Sequence, residues 1–259
     1  MLVRRLVEHL SRERILVRRL PRVFGRRKIY VSPDSALSYW KRDLSPLGYD
    51  LFSFAERFVH EDDTVWDIGA NVGLFAFAAA HAAGITGQVL ALEPDPFCVS
   101  LLRRTANELE GESHVEILPL AVDEKVELAT LAIADRGRSS NHLSFLPGRS
   151  QAGGSRQEFS VMTVTLDWLL ERRSRPDVLK IDVEGAEDRV LAGAQRLLAE
   201  ARPLCLCEVG EPAVASVTRT FDEKGYALFD WRDGDPVPVK EAAFSTLAIP
   251  QERSGDFDL

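Results

Sequence analysis

The sequence predicts an α/β fold, a doubly wound and mostly parallel sheet covered on both faces by helices. Three observations predict it. Apolar strand candidates at 64–68, 87–92, 115–119, 126–133, 159–164, 177–182, 203–208, 226–231 and near 243–249 are separated, in several places, by helical patterns at 72–83, 96–109, 187–199 and 213–224. A glycine-rich turn within "VWDIGANVGLFAFAAA", Val65 to Ala80, joins the first of these strands to an alanine-rich run. Two strands run into carboxylates, Glu93 and Asp182, at the carboxyl ends where open α/β sheets bind ligands.

The chain starts with a basic arm. Residues 1–28 hold nine arginines and Lys28 against Glu8 and Glu13, a net +8, which leaves −16 on the remaining 231 residues. Leu2, Val3, Leu6, Val7 and Leu10 recur at helical spacing, as do Leu16 and Leu20, so 1–28 reads as a basic amphipathic helical arm. Such an arm lies on an anionic membrane surface, binds an acidic partner, or docks on its own acidic body or a second copy. Nucleic acid is disfavoured, because the acidic body repels phosphates and no reader motif follows. Residues 29–60 form a lead-in, with a short strand at Lys28 to Val31 and a helix over Tyr49 to Val59. Residues 29–259 are expected to be one domain that includes this lead-in.

Composition narrows the function classes. At 259 residues with 45% hydrophobic content, the chain can bury a full core. Cys98, Cys205 and Cys207 show no CxxC, and read as buried small hydrophobes in a reducing compartment. The five histidines form no HExxH, which disfavours zinc. The longest weakly polar run, Val72 to Ile85, is interrupted by His81 and is too short to span a membrane. No signal-peptide pattern opens the chain, so the cytoplasm is the default expectation.

The glycine turn discriminates between ligands. Gly69 allows the tight exit from the strand, and Gly73 allows close packing of helix on strand. A dinucleotide fingerprint is GxGxxG; here the pattern is Gly-Ala-Asn-Val-Gly, with Asp67 just before the turn and Asn71 near where a pyrophosphate would approach. A carboxylate opposes a pyrophosphate and favours an ammonium or sulfonium, which counts against a nicotinamide-dependent oxidoreductase. Glu93, 24 residues beyond Gly69, is placed to accept both hydroxyls of a ribose. Asp95 and Pro96 then suit the cap and first position of a helix.

"VWDIGANVGLF", "LEPDP" and above all "LKIDVEGAEDRVLAGA" resemble the FkbM family of S-adenosylmethionine-dependent methyltransferases, in the expected order over roughly 29–249. The resemblance implies the class I methyltransferase (Rossmann-like) fold, a seven-stranded sheet, mostly parallel with an antiparallel last strand. It implies methyl transfer to oxygen, commonly on sugars, glycans or other hydroxylated natural products. By position, Asp67, Gly69, Asn71 and Gly73 would line the methionine part of S-adenosyl-L-methionine, Glu93 would hold the ribose, and Asp123 would lie near the adenine.

Chemistry is expected around "KIDVEGAE". Asp182 and Glu184 emerge at the crevice, and Gly185 turns the chain into a helix whose first turn carries Glu187 and Asp188. An alcohol is a weak acid, so a base should take its proton as the bond to methyl forms. Asp182 is the first choice of base and His142, in "SSNHLS", the second. Asn141, Glu184 and Glu208 are the expected acceptor-binding residues. Asp182, Glu184 and Glu208 can alternatively gather Mg2+, but their spacing shows no diagnostic pattern and a metal-free site is preferred. The Gly-, Ser- and Arg-rich stretch 135–157 is expected to help select the acceptor. The competing reading is a non-catalytic cofactor-binding or scaffold module recruited through its basic arm.

Overall fold

The computed structural model describes residues 2–109, 111, 114–135, 137–143, 154–232 and 234–256. In chain order the strands are β1 (Leu16–Arg19), β2 (Lys28–Val31), β3 (Thr64–Ile68), β4 (Gln88–Leu92), β5 (His114–Leu118), β6 (Ala121–Val122) and β7 (Glu127–Ala134). They continue with β8 (His142–Leu143), β9 (Ser155–Val164), β10 (Val178–Ile181), β11 (Leu204–Glu208), β12 (Tyr226–Arg232), β13 (Asp235–Pro238) and β14 (Ser245–Pro250). The helices are α1 (Leu2–Ser11), α2 (Tyr49–Phe58), α3 (Leu74–Ala83), α4 (Pro96–Glu108), α5 (Leu166–Leu170), α6 (Glu187–Ala192), α7 (Gln195–Glu200) and α8 (Val214–Glu223).

The main sheet has the order β13-β12-β14-β11-β10-β3-β4-β5. The run β11-β10-β3-β4-β5 is parallel, while β14, the last strand in the chain, is antiparallel to both β11 and β12. This is the expected class I methyltransferase sheet with one short edge strand, β13, added to seven. Two of the expected strands leave it: β7 and β9 pair antiparallel in a separate sheet of order β6-β9-β7-β8.

Alternation along the parallel strands feeds two cores. Val65 of β3 packs with α2, α3 and α4 on one face, among Phe54, Phe58, Phe75, Phe77 and Leu101. Trp66 and Ile68 point to the other, among Leu169, Leu191, Leu197, Val217 and Phe221 from α5 to α8. α3 is apolar on all sides because it is buried on all sides.

Two local expectations are corrected. The 187–199 helix is broken into α6 and α7. The backbone between them, at Gly193 and Ala194, bends where a Cβ on Gly193 would lie 2.7 Å from the Asp123 carbonyl oxygen. The arm is helical only over Leu2–Ser11; Leu16–Arg19 is instead a strand paired antiparallel with Lys28–Val31. Leu20 and Phe24 are buried in the main core. Of the alternatives open for the arm, the residues from Ser11 onward show docking on the protein itself. Trp40 Nε1 donates to Ser11 Oγ at 2.9 Å, the Glu13 amide donates to Asp34, and the Arg18 guanidinium donates to the carbonyls of Tyr39 and Lys41. Among the described residues, no helix is long and apolar enough to cross a membrane.

Candidate active site

The order of the parallel strands reverses between β3 and β10, and the chain opens there into a cleft, the expected place for a ligand. The loops leaving these strands touch. The amide of Asp182 donates to Ile68 O at 3.0 Å, and Gly69, at φ +77°, lies so close that an added Cβ would sit 1.9 Å from the Asp182 carbonyl oxygen. Only glycine fits here, for space and for backbone conformation together.

The cleft is open to solvent and mixes apolar walls with a few convergent polar groups, as small-molecule and cofactor sites do. Gly69 and Asn71 form one wall, and Glu93 and Pro94 follow β4. Leu120, Ala121, Val122 and Leu131 supply an apolar side, while His142, Asp182 and Glu184 complete the rim. Glu93 is buried, and its two carboxylate oxygens accept from the amides of Asn71 and Asp95, each at 2.8 Å. Burial pushes this carboxyl up to about 7 despite those two amides, with the Asp95 charge adding to the rise. Asn71 reaches its donor position by adopting φ +51°, a conformation asparagine tolerates better than most residues.

Asp182 is held by a lysine. Lys180, two residues earlier on the strand, is buried, with Nζ 3.1 Å from Asp67 Oδ1, 3.5 Å from Asp182 Oδ2 and 3.0 Å from Gly69 O. Burial alone would lower the lysine pKa; Asp67 and Asp182 together overcome it and hold the ammonium above the ordinary lysine range. The sequence reading missed Lys180. Its signal was there, because residues two apart on a strand share a face, and the parallel register sets Lys180 beside Asp67.

Several expected site residues are placed differently. Asp67, Gly73 and Asp123 do not line the cleft. Asp67 is turned into the protein toward Lys180. Gly73, at φ +90°, caps α3 where a Cβ would lie 2.5 Å from the Phe77 ring, a packing requirement. Asp123 is buried and paired with the Arg189 guanidinium through two hydrogen bonds of 2.7 and 2.8 Å. The backbone just before it, at Leu120 to Val122, forms the wall instead. Asn141 lines the cleft, but both ends of its amide are engaged within the chain: Nδ2 donates to Asp95 at 2.8 Å and Oδ1 accepts from the Ala134 amide at 3.0 Å. Glu208 lies outside this cleft, on a second one described below. Among the described residues, no group of three His, Cys, Asp or Glu side chains is gathered as a metal site.

A second missed residue, Arg138, closes the cleft's outer edge. Its guanidinium is buried, donating to Asp34 at 2.8 Å and to both oxygens of Asp95 at 2.8 Å, and lies 4.6 Å from the centre of the Phe97 ring. Arg156 adds two more hydrogen bonds to Asp34. The network ties the lead-in, the cap of α4 and the 137–143 stretch together at the rim.

A Rossmann-like sheet with its last strand antiparallel, and with a carboxylate-lined cleft at the strand-order reversal, defines the class I methyltransferase fold. The family profile described as the Methyltransferase FkbM domain matches residues 67–228, and the chain belongs to the FkbM methyltransferase family. It is 30% identical over 145 residues to the hexuronic acid methyltransferase AglP of Haloferax volcanii. That match covers 53% of this chain and 52% of AglP, so the chain spans about half the length of this curated relative. Among solved structures it is similar to methyltransferase FkbM from Methylobacillus flagellatus, with TM-score 0.48 and 15% identity over 72% of this chain and 43% of that one. It is also similar to the tRNA (uracil-54, C5)-methyltransferase of Pyrococcus abyssi in complex with S-adenosyl-L-homocysteine, with TM-score 0.47 and 13% identity over 90% of this chain and 43% of that one.

Proposed function

We propose that the chain is an S-adenosyl-L-methionine-dependent O-methyltransferase that methylates a hydroxyl of a sugar, glycan or other hydroxylated natural product. The observation that carries the reading is the convergence of Gly69, Asn71, Glu93 and Asp182 on one cleft in a chain of the FkbM family. The name of the archaeal relative, a hexuronic acid methyltransferase, supports a sugar acceptor.

The cleft fits the cofactor. Glu93 offers a buried carboxylate to the two ribose hydroxyls, beside the Gly69 and Asn71 turn. The apolar wall at Leu120 to Val122 suits the adenine. When bound, S-adenosylmethionine supplies a methyl group already attached to a cationic sulfur, a good leaving group. The chain's residues then have two tasks, orienting the acceptor hydroxyl and taking its proton. Asp182 is the base in this account. Its carboxylate is partly exposed at the cleft, and Lys180 and the contact with the Gly69 loop keep it fixed. A carboxylate suffices as base because the hydroxyl becomes acidic only as its oxygen gives up electrons to the new bond. His142 is the alternative base, on the same cleft at β8.

Methyl transfer from labelled S-adenosylmethionine to a panel of sugars, glycans and polyketide-like alcohols tests the reading. Asp182→Asn should retain binding of S-adenosylhomocysteine and lose most turnover, and His142→Gln should lose less. Cofactor binding without transfer to any acceptor would favour the scaffold alternative. Full turnover by Asp182→Asn would remove Asp182 as the base.

A further inference from the structure

A second open cleft lies on the same carboxyl edge of the sheet and shares Asp182 with the first. It is built by the 46–51 segment leading into α2, the ends of β10 and β11, and the start of β14. Its polar and aromatic lining includes Tyr49, Asp50, Lys180, Asp182, Glu208 and Phe244. Resting on the functional reading above, we propose that this second cleft receives the methyl acceptor, and that the acceptor is an uncharged polyhydroxylated ring rather than a uronic acid.

Position comes first. A base must touch the acceptor and face the reacting centre, and Asp182 is the titratable side chain common to both clefts. An acceptor in the second cleft therefore meets a cofactor in the first across that carboxylate. The second cleft also lies beside Gly48 and Tyr49, at the start of α2, so the lead-in forms part of the acceptor's wall.

Charge decides the class. Among the described residues, Lys180 is the one cation in this lining, set against the carboxylates of Asp50, Asp182 and Glu208. Lys180 is committed: its buried ammonium donates to Gly69 O at 3.0 Å and is ion-paired with Asp67 at 3.1 Å and with Asp182 at 3.5 Å. An anionic acceptor would bring a fourth carboxylate to a net negative cleft on a chain of net charge −8. A neutral ring brings only hydroxyls, which donate well to carboxylates. Tyr49 and Phe244, 52% and 61% exposed, offer ring faces at the rim against which the C–H face of a sugar can pack.

The test uses matched pairs of methyl glycosides, glucoside with glucuronoside, galactoside with galacturonoside and mannoside with mannuronoside. Each is titrated into the 259-residue chain saturated with S-adenosylhomocysteine, and binding is read by ligand-observed NMR; turnover with labelled cofactor is measured in parallel. Binding and any turnover should favour the uncharged member by about tenfold or more, and Glu208→Gln should shrink that preference. Preference for the uronosides, an unchanged ratio in Glu208→Gln protein that melts like the parent, or binding of neither class would each overturn the proposal. Failure of S-adenosylhomocysteine itself to bind would instead overturn the methyltransferase reading on which it rests.

Discussion

Replacing Glu93 by glutamine should change both the pH dependence of stability and the affinity for cofactor. The folded protein holds the Glu93 carboxyl at about 7, against 4.5 when solvated, because burial outweighs its two amide donors. Between those values the folded state binds the proton more tightly than the unfolded chain, so stability falls as pH rises through the window. The shift corresponds to roughly 3 kcal/mol at about 1.36 kcal/mol per unit. Glutamine cannot ionise and lacks this slope. It also presents one acceptor where Glu93 presents two, so the amide of Asn71 or Asp95 loses its partner at a cost of about 1–3 kcal/mol. The variant should therefore be less stable than the parent near pH 4.5, and the gap should close or invert by pH 8. Its dissociation constant for S-adenosylhomocysteine at pH 8 should rise about 10–100-fold, the loss of a charge-assisted hydrogen bond to ribose of about 1.5–3 kcal/mol. Denaturant melts across pH 4.5–8 and calorimetry at pH 8 read both effects. Parallel stability curves for parent and variant, with an unchanged dissociation constant, would refute the reasoning.

Gly69→Ala should abolish cofactor binding and lower the melting temperature, since its methyl group meets the Asp182 carbonyl and its φ of +77° is costly for alanine; a circular-dichroism melt and calorimetry check this. Arg138→Met leaves Asp34 and Asp95 buried without their shared cation, and should cost about 3–5 kcal/mol in urea denaturation. The Asp34 carboxyl is held below the ordinary range by Arg138 and Arg156, which outweigh its burial, so its stabilisation is present above the unfolded value and lost as pH falls. The acid limb of the stability curve should be shallower in the variant. Asp123→Asn should leave the dissociation constant for S-adenosylhomocysteine within about threefold, because Asp123 faces Arg189 and not the cleft.

The central parallel strands were legible because they are short, largely apolar runs buried on both faces, as Val178–Ile181 and Leu204–Glu208 show. The glycine turn was legible because steric need at Gly69 leaves a mark on residue type. Other parts were hidden by long-range pairing. Leu16–Arg19 becomes a strand only because Lys28–Val31 is there to pair with it, and its local spacing suits a helix equally well. Arg138 finds Asp34 and Asp95 from 104 and 43 residues away, which no local pattern announces. Asp123 has a long-range partner of the same hidden kind. Its place after a strand resembles an adenine-side position, yet a neighbouring arginine on α6 turns it inward.

Isothermal calorimetry of the folded 259-residue chain with S-adenosylmethionine and S-adenosylhomocysteine tests the central claim most directly. The account predicts saturable binding of both at one site per chain, weakened by Glu93→Gln and retained by Asp182→Asn. Folded protein that gives no binding heat and no thermal stabilisation with either compound would contradict it.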